Sequence, residues 1–271
     1  MAKIYYRNEN CLDTIKGMER TGYKVNIILT SPPYNTARLC KTQRSIENHE
    51  NRYDIHLDNM TDDEYSQWTA DLFRQFDKVL SKNGVILYNI SYGSENPNSM
   101  WQAISSLVTN TDFMIADTIV WKKKTALPNN VSHNKLTRIT EFVFVICRKS
   151  EFKTFMANKQ VTSTSSTGQK YYENVYNFIE APNNDGSNKL NKATYSSELC
   201  EKLLEIYATK DCIVYDPFMG TGTTGIACER YGSDKMVCIG SELSDAQVEY
   251  SKQRLKEVRK EKKNESQTLP L

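Results

Sequence analysis

The apolar run Val25-Asn26-Ile27-Ile28-Leu29 stops at Thr30-Ser31-Pro32-Pro33-Tyr34-Asn35. Its β-branched residues predict a buried strand. Two consecutive prolines end that strand abruptly, because neither can donate to a sheet ladder and both fix φ. In an open α/β sheet, ligands bind at the carboxyl ends of strands. A rigid turn there would present the Ser31 hydroxyl, the Pro32 carbonyl and the Tyr34 ring. The plainer alternative is a turn that only ends a strand, with Tyr34 as packing.

The flanking segments alternate between strand and helix. Lys3 to Tyr6 reads as a strand and Cys11 to Met18 as a helix, whereas Arg38 to Leu57 is polar, lacks a period and is expected to be a loop over a site. Thr61-Asp62-Asp63-Glu64 is a capping box, and Tyr65, Trp68, Leu72, Phe76 and Val79 follow at helical spacing. Asn83-Gly84 is expected to end this helix before a strand over Val85 to Tyr88, in a right-handed crossover. A helix near Met100 to Val108 precedes strands near Met114 to Trp121 and Glu141 to Cys147, which the turn-rich Lys122 to Arg138 would join as a hairpin.

Lys149 to Leu190 contains Thr162-Ser163-Thr164-Ser165-Ser166-Thr167-Gly168 and Lys170-Tyr171-Tyr172, shows no clear period and reads as an insertion. Regular pattern then resumes. A helix carries Leu199, Leu203, Ile206 and Tyr207, followed by strand Cys212 to Tyr215, helix Thr223 to Arg230 and strand Met236 to Ile239. Ser244-Asp245-Ala246-Gln247 opens a last helix toward Lys262. The expected organisation is one α/β domain in two halves, 1–148 and 191–262, with 149–190 inserted and 263–271 as a polar tail.

Hydrophobic content of 39% and charged content of 25% over 271 residues suit an ordinary globular protein. No apolar run is long enough to span a bilayer and no signal peptide pattern opens the chain, so a cytoplasmic protein is expected. The seven cysteines are scattered without Cys-x-x-Cys spacing, and His49, His56 and His133 are isolated, so neither a disulfide frame nor a metal site is expected. Net charge is only +2, but from Lys122 to Lys153 eight Lys and Arg face only Glu141 and Glu151. That asymmetry fits one face turned toward a polyanion, with Lys122, Lys123, Lys124, Lys135 and Arg138 as the candidate contacts to it. A solvated lysine-rich loop is the alternative.

A second motif, Asp216-Pro217-Phe218-Met219-Gly220-Thr221-Gly222-Thr223-Thr224-Gly225, falls between a strand and a helix. Gly220, Gly222 and Gly225 have the spacing of a dinucleotide-binding turn, and Glu242 follows about 20 residues on, where a carboxylate can bind ribose hydroxyls. Asp216 decides the ligand class, because a carboxylate would repel a pyrophosphate but favour the ammonium and sulfonium of S-adenosylmethionine. A nicotinamide dehydrogenase is the competing reading.

Ser31-Pro32-Pro33-Tyr34 followed far downstream by Asp216-Pro217-Phe218-x-Gly220-x-Gly222-Thr223-Thr224 resembles the amino-methylating DNA methyltransferases, and the motif order resembles their permuted β group. The resemblance runs from about Ile4 to Arg259. It implies a Rossmann-like S-adenosylmethionine-dependent methyltransferase fold, its sheet mostly parallel with an antiparallel hairpin. It also implies that Ser31 and the Pro32 carbonyl engage the target amino group, with Pro33 completing the turn, and that Tyr34 stacks on an extruded base. Asp216, Phe218, Gly220, Gly222 and Thr223 would line the methionine end of S-adenosyl-L-methionine, Glu242 its ribose and Asn10 its adenine. Asn191 and Thr194 would be further methionine contacts, although Asn191-Lys192-Ala193-Thr194-Tyr195 stands where the family has a His-Pro-Ala-like segment.

The expected partner is double-stranded DNA, and the resemblance leaves open a restriction endonuclease partner and a monomeric or homodimeric state. In the family, serine at the first motif position goes with N4 of cytosine and aspartate with N6 of adenine, so cytosine is favoured. Asn35 after the tyrosine resembles the adenine enzymes. No Pro-Cys dipeptide occurs, which disfavours carbon-5 methylation through a cysteine nucleophile. Methylation of RNA or protein amides, and an inactive DNA-binding fold, are the more distant readings.

Overall fold

A computed structural model describes residues 1–35, 60–93, 96–126, 128–185 and 194–268. The expected loop Arg38 to Leu57 and the candidate contact Asn191 lie outside them.

The chain runs β1 (Lys3–Arg7), α1 (Cys11–Thr21), β2 (Val25–Thr30), α2 (Asp62–Val79), β3 (Leu80–Ile90), α3 (Ser99–Asn110), β4 (Phe113–Lys123) and β5 (Thr140–Arg148). After a short 3-10 turn follow β6 (Val161–Thr164), β7 (Lys170–Tyr172), β8 (Phe178–Ala181), α4 (Ser197–Tyr207), β9 (Ile213–Asp216), α5 (Thr223–Tyr231), β10 (Val237–Ser241) and α6 (Asp245–Thr268). Among the described residues, eight strands form one sheet in the order β1-β10-β9-β2-β3-β5-β4-β8. In that sheet β5 alone runs against the others, antiparallel to both β3 and β4.

Both faces of the sheet are covered, so its central strands are apolar on both sides. Ile27 and Leu29 pack with α4 and α5 on one face. Val25 and Ile28 pack with α1, α2 and α3 on the other. Between β9 and β2 the crossovers diverge, with α5 leading from β9 to β10 and α2 preceding β3 on the opposite side. A crevice at such a switch point is where open α/β sheets bind ligands.

Three expectations are revised. Helix α2 ends at Val79, and Asn83-Gly84 lies inside β3, because Leu80 already pairs with Val25. The Asn-Gly pair makes a register shift rather than a helix stop: Asn83 takes φ 59°, and a Cβ on Gly84 would come within 2.7 Å of Leu80. Second, the segment after Lys149 is not wholly peripheral. Strand β8 pairs in parallel with β4, and the buried Trp121 indole donates to the Ala181 carbonyl at 3.2 Å; β6 and β7 form a separate exposed hairpin. Third, α6 continues to Thr268, into the expected polar tail.

The capping box of α2 is present: Glu64 N donates to Thr61 Oγ1 at 3.1 Å, and Thr61 N to Glu64 Oε2 at 2.7 Å. Thr61→Ala is expected to lower unfolding free energy by about 1 kcal/mol. Urea denaturation would show a lower midpoint with an unchanged slope.

Candidate active site

The carboxyl ends of β1, β2, β3, β9 and β10 open onto one cavity of about 1510 Å³, which Lys123 of β4 and Glu141 of β5 also line. A pocket for a single small ligand is roughly 300–1,000 Å³. This cavity therefore has room for a cofactor and a second group.

The turn after β2 is held from three sides. Tyr65 OH donates to the Pro33 carbonyl at 2.7 Å, and Asn35, at φ 54°, clamps Met60 through two 2.9 Å bonds to its backbone N–H and C=O. Tyr34 OH lies 2.9 Å from Ser31 Oγ, 3.1 Å from Asn89 Oδ1 and 3.2 Å from Glu141 Oε2. Asn89 Nδ2 donates to the Phe142 carbonyl at 3.1 Å, which keeps Oδ1 toward the tyrosine. Glu141 also pairs with Lys123 through its other oxygen.

This network has a direction. Tyr34 has one hydroxyl proton, and both Asn89 Oδ1 and ionised Glu141 can only accept. Tyr34 therefore donates toward them, and the Ser31 contact is a donation from Ser31 to Tyr34. The Ser31 lone pairs are left as acceptors.

The turn after β9 hangs from Asp216, which is fully buried. Its carboxylate accepts from Thr30 Oγ1 at 2.8 Å, Thr224 Oγ1 at 2.5 Å and Phe218 N at 3.0 Å. Tyr195 OH lies 2.5 Å from Thr224 Oγ1 and 3.4 Å from Asp216 Oδ2. Burial outweighs the Thr224, Thr30 and Phe218 hydrogen bonds and raises the Asp216 carboxyl from 3.8 to about 6. Burial, followed by the Asp216 charge, pushes the Tyr195 phenol well above the usual tyrosine range.

The glycine turn is not a phosphate cradle. Met219 N donates to Ser241 O, Gly220 N to Glu242 Oε2 and Gly222 N to Met219 O, each at 2.9 Å. Three amides that a pyrophosphate would need are thus already satisfied, and Glu242 places a carboxylate on the cavity wall. These features fit a cationic, phosphate-free nucleoside such as S-adenosylmethionine and oppose a dinucleotide.

The model of a DNA methylase family, N6_N4_Mtase, matches residues 25–253, most of the chain and both turns. The chain belongs to this DNA methylase family. It is accordingly an enzyme, an amino-methylating DNA methyltransferase. Type II methyltransferase M.MthZI of Methanothermobacter thermautotrophicus is 21% identical, over 89% of this chain and 72% of that protein. The fold is also that of the M1.HpyAVI-SAM complex, with TM-score 0.60, 24% identity and coverage of 93% of this chain and 98% of that one. PvuII DNA methyltransferase (cytosine-N4-specific) superposes with TM-score 0.67 at 15% identity, over 94% of this chain and 86% of that one.

In this methylase Ser31, Pro32, Pro33, Tyr34, Asn10, Thr194, Phe218, Gly220, Thr223 and Glu242 all line the cavity. Asn10 also caps α1, accepting from Leu12 N at 2.9 Å. Two expected contacts stand behind the wall instead. Asp216 is enclosed by protein hydroxyls, and the close neighbour of Gly222, at φ 85°, is Ser251 of α6, whose Cβ would lie 2.8 Å from an added Cβ.

The basic segment divides in two. Lys122 pairs with Glu180 at 2.6 Å and Lys124 with Glu198 at 3.3 Å, both at half-exposed positions. Lys123 points into the cavity toward Glu141, and Lys135 and Arg138 line its mouth. Sequence reasoning misses Asn89, Glu141, Tyr195 and Trp68, the last stacked on Tyr65 and 5.9 Å from Phe218 in the cavity wall. Asn89, Glu141 and Trp68 lie far along the chain from the motifs they serve; the local hints are Glu141, an acidic residue among many cations, and Tyr195, which directly follows the candidate contact Thr194.

Carbon-13 NMR is expected to show Asp216 titrating near pH 6. Between pH 3.8 and 6 the native state then holds a proton that the unfolded chain has released, so stability falls as pH rises through that window. Asp216→Asn should lack this slope. A midpoint near the ordinary aspartate value would mean that water reaches the carboxylate.

Proposed function

We propose that this methylase transfers a methyl group from S-adenosylmethionine to the exocyclic N4 of a cytosine extruded from double-stranded DNA at a specific sequence. We further assign it to the permuted β group, because the Ser31 turn precedes the Asp216 turn in the chain. The observation that carries the reading is the Tyr34 hydroxyl set between Ser31 Oγ and the acceptors Asn89 Oδ1 and Glu141 Oε2, an arrangement that turns the Ser31 proton toward Tyr34. A hydroxyl held as an acceptor suits an amino N–H.

The chemistry follows from that direction. An exocyclic amino nitrogen is a weak nucleophile because its lone pair is delocalised into the ring. Acceptance of its two N–H bonds by Ser31 Oγ and the Pro32 carbonyl would draw the nitrogen toward tetrahedral geometry and free the lone pair. Pro33, anchored by Tyr65 of α2, and Asn35, anchored by the Met60 backbone, hold these acceptors still. The Ser31–Tyr34–Glu141 chain then offers a route for the proton released from the methylated amine.

When bound, S-adenosylmethionine supplies an electrophilic methyl carbon. Phe218, Gly220, Thr223 and Thr194 would hold its methionine end, Glu242 its ribose and Asn10 its adenine, with Trp68 extending the aromatic wall. Asp216 and Gly222 would act from behind by fixing the turn. Serine at position 31 favours cytosine, as does similarity to an enzyme described as cytosine-N4-specific. The feature that leans toward adenine, Asn35, is engaged with the Met60 backbone. The exposed β6–β7 hairpin is the element we assign to sequence recognition.

Nucleoside mass spectrometry on DNA from cells expressing the chain should detect N4-methylcytosine. N6-methyladenine alone would sink the base assignment. Ser31→Ala should lower kcat by about 10²-fold with little change in KM for DNA. Tyr34→Phe keeps the ring but frees the Ser31 proton to face the amino group, so single-turnover transfer should fall by about tenfold or more. Full activity in Tyr34→Phe would leave the ring as the only part of Tyr34 that matters.

A further inference from the structure

Resting on the reading above, we propose that the tip of the β4–β5 loop is an apolar wedge, in which Val131 and Leu136 enter the base stack vacated by the extruded nucleotide. Val131 is 95% exposed and Leu136 87%, the two most exposed large apolar side chains among the described residues. Single exposed apolar residues are ordinary, but these two share one loop tip and both line the cavity that holds Ser31 and Tyr34.

The loop is shaped in advance. Asn129 N donates to Thr137 Oγ1 at 2.9 Å and Asn129 Nδ2 to the Lys135 carbonyl at 3.3 Å, which clips the base of the tip. Within it, Ser132 Oγ donates to Asn134 Oδ1 at 3.2 Å. Arg138 anchors the returning strand, donating to the Tyr92 carbonyl with its guanidinium 5.1 Å over the Tyr92 ring. A clipped tip can present two side chains without first being ordered.

Charge selects the occupant. From Lys122 to Thr140 the sequence has five Lys or Arg and no Asp or Glu; Lys123 turns inward to Glu141, and the other four flank the tip with positive charge that suits a phosphate backbone. Apolar side chains inserted at a base step replace stacking lost on extrusion, and their own exposed surface is removed from water in the same event.

The test begins by reading the methylated sequence from DNA treated with the wild-type protein. A V131S/L136S double variant is then compared with wild type in single-turnover transfer on two duplexes. One has a normally paired target, and the other places the target opposite an abasic site. 2-Aminopurine beside the target reports unstacking, and calorimetry with S-adenosylmethionine checks that the variant is folded.

The double variant should be slowed by about tenfold or more on the paired duplex and far less opposite the abasic site, with a reduced 2-aminopurine signal. V131I/L136M should behave like wild type. Equal slowing on both duplexes would mean a contact without wedging, and unimpaired transfer would assign the tip to another partner; either overturns the proposal. Wild-type protein that methylates no DNA would instead overturn the function on which it rests, and the wedge with it.

Discussion

The carboxylate of Asp216 joins the two halves of this site. It ends β9, and the hydroxyl that it accepts at 2.8 Å belongs to Thr30, the last residue of β2. Ser31 follows Thr30 directly, and Pro217 and Phe218 follow Asp216. One hydrogen bond between neighbouring strand ends therefore sets the spacing between the turn that would hold the amino group and the turn that would hold the methyl donor. Burying a carboxylate is costly, and its raised pKa records that cost. The Thr30, Thr224 and Phe218 donors offset it enough for ionisation at neutral pH.

The two turns are stiffened by different means. Around Ser31 the backbone is fixed by proline rings and by clamps from α2 and Met60, so little conformational entropy remains to be lost when a base arrives. Around Gly220 the stiffening comes from backbone amides bonded to Ser241, Glu242 and Met219, with Ser251 Oγ of α6 donating to the Gly220 carbonyl at 2.9 Å. Arg254 continues the same face, donating to Thr221 O at 2.8 Å and Asp185 at 2.7 Å. Helix α6 thus ties the Gly220 turn to the end of the segment that carries the β6–β7 hairpin.

Much of this is legible in the sequence because it rests on local chemistry. The capping box at Thr61, the Pro-Pro stop and the strand–glycine–helix unit at Asp216 are short-range signals, and each sits at its expected place in the fold. What cannot be read there depends on pairing across the chain. Phe178–Ala181 has too little pattern for a strand, and only the edge of β4 makes it one. Asp216 reads as a ligand for a cation because the sequence does not reveal that Thr30, 186 positions away, faces it. Tyr34 reads as a ring alone, since Asn89 and Glu141 reach its hydroxyl from β3 and β5.

The lysines show the same limit with a consequence for DNA. Counting charges puts Lys122, Lys123 and Lys124 in one class, but alternation along β4 sends the middle one into the cavity and its neighbours elsewhere. Lys122 holds Glu180 below the ordinary carboxylate range, and Lys202 together with Lys124 does so for Glu198. These exposed pairs are screened by water and contribute little to folding, so an arriving phosphate can take the lysine from its carboxylate with small loss. Lys123 is different. It and Glu141 are largely shielded, at 24% and 13% side-chain exposure, and Glu141 is bonded to Tyr34. Drawing Lys123 away would strip the counter-charge from a carboxylate that orients the Ser31 hydroxyl. Lys123, beside the Ser31 turn, is thus held inside the cavity, and in the DNA complex we propose, phosphate would be met by Lys122 and Lys124 on either side of it.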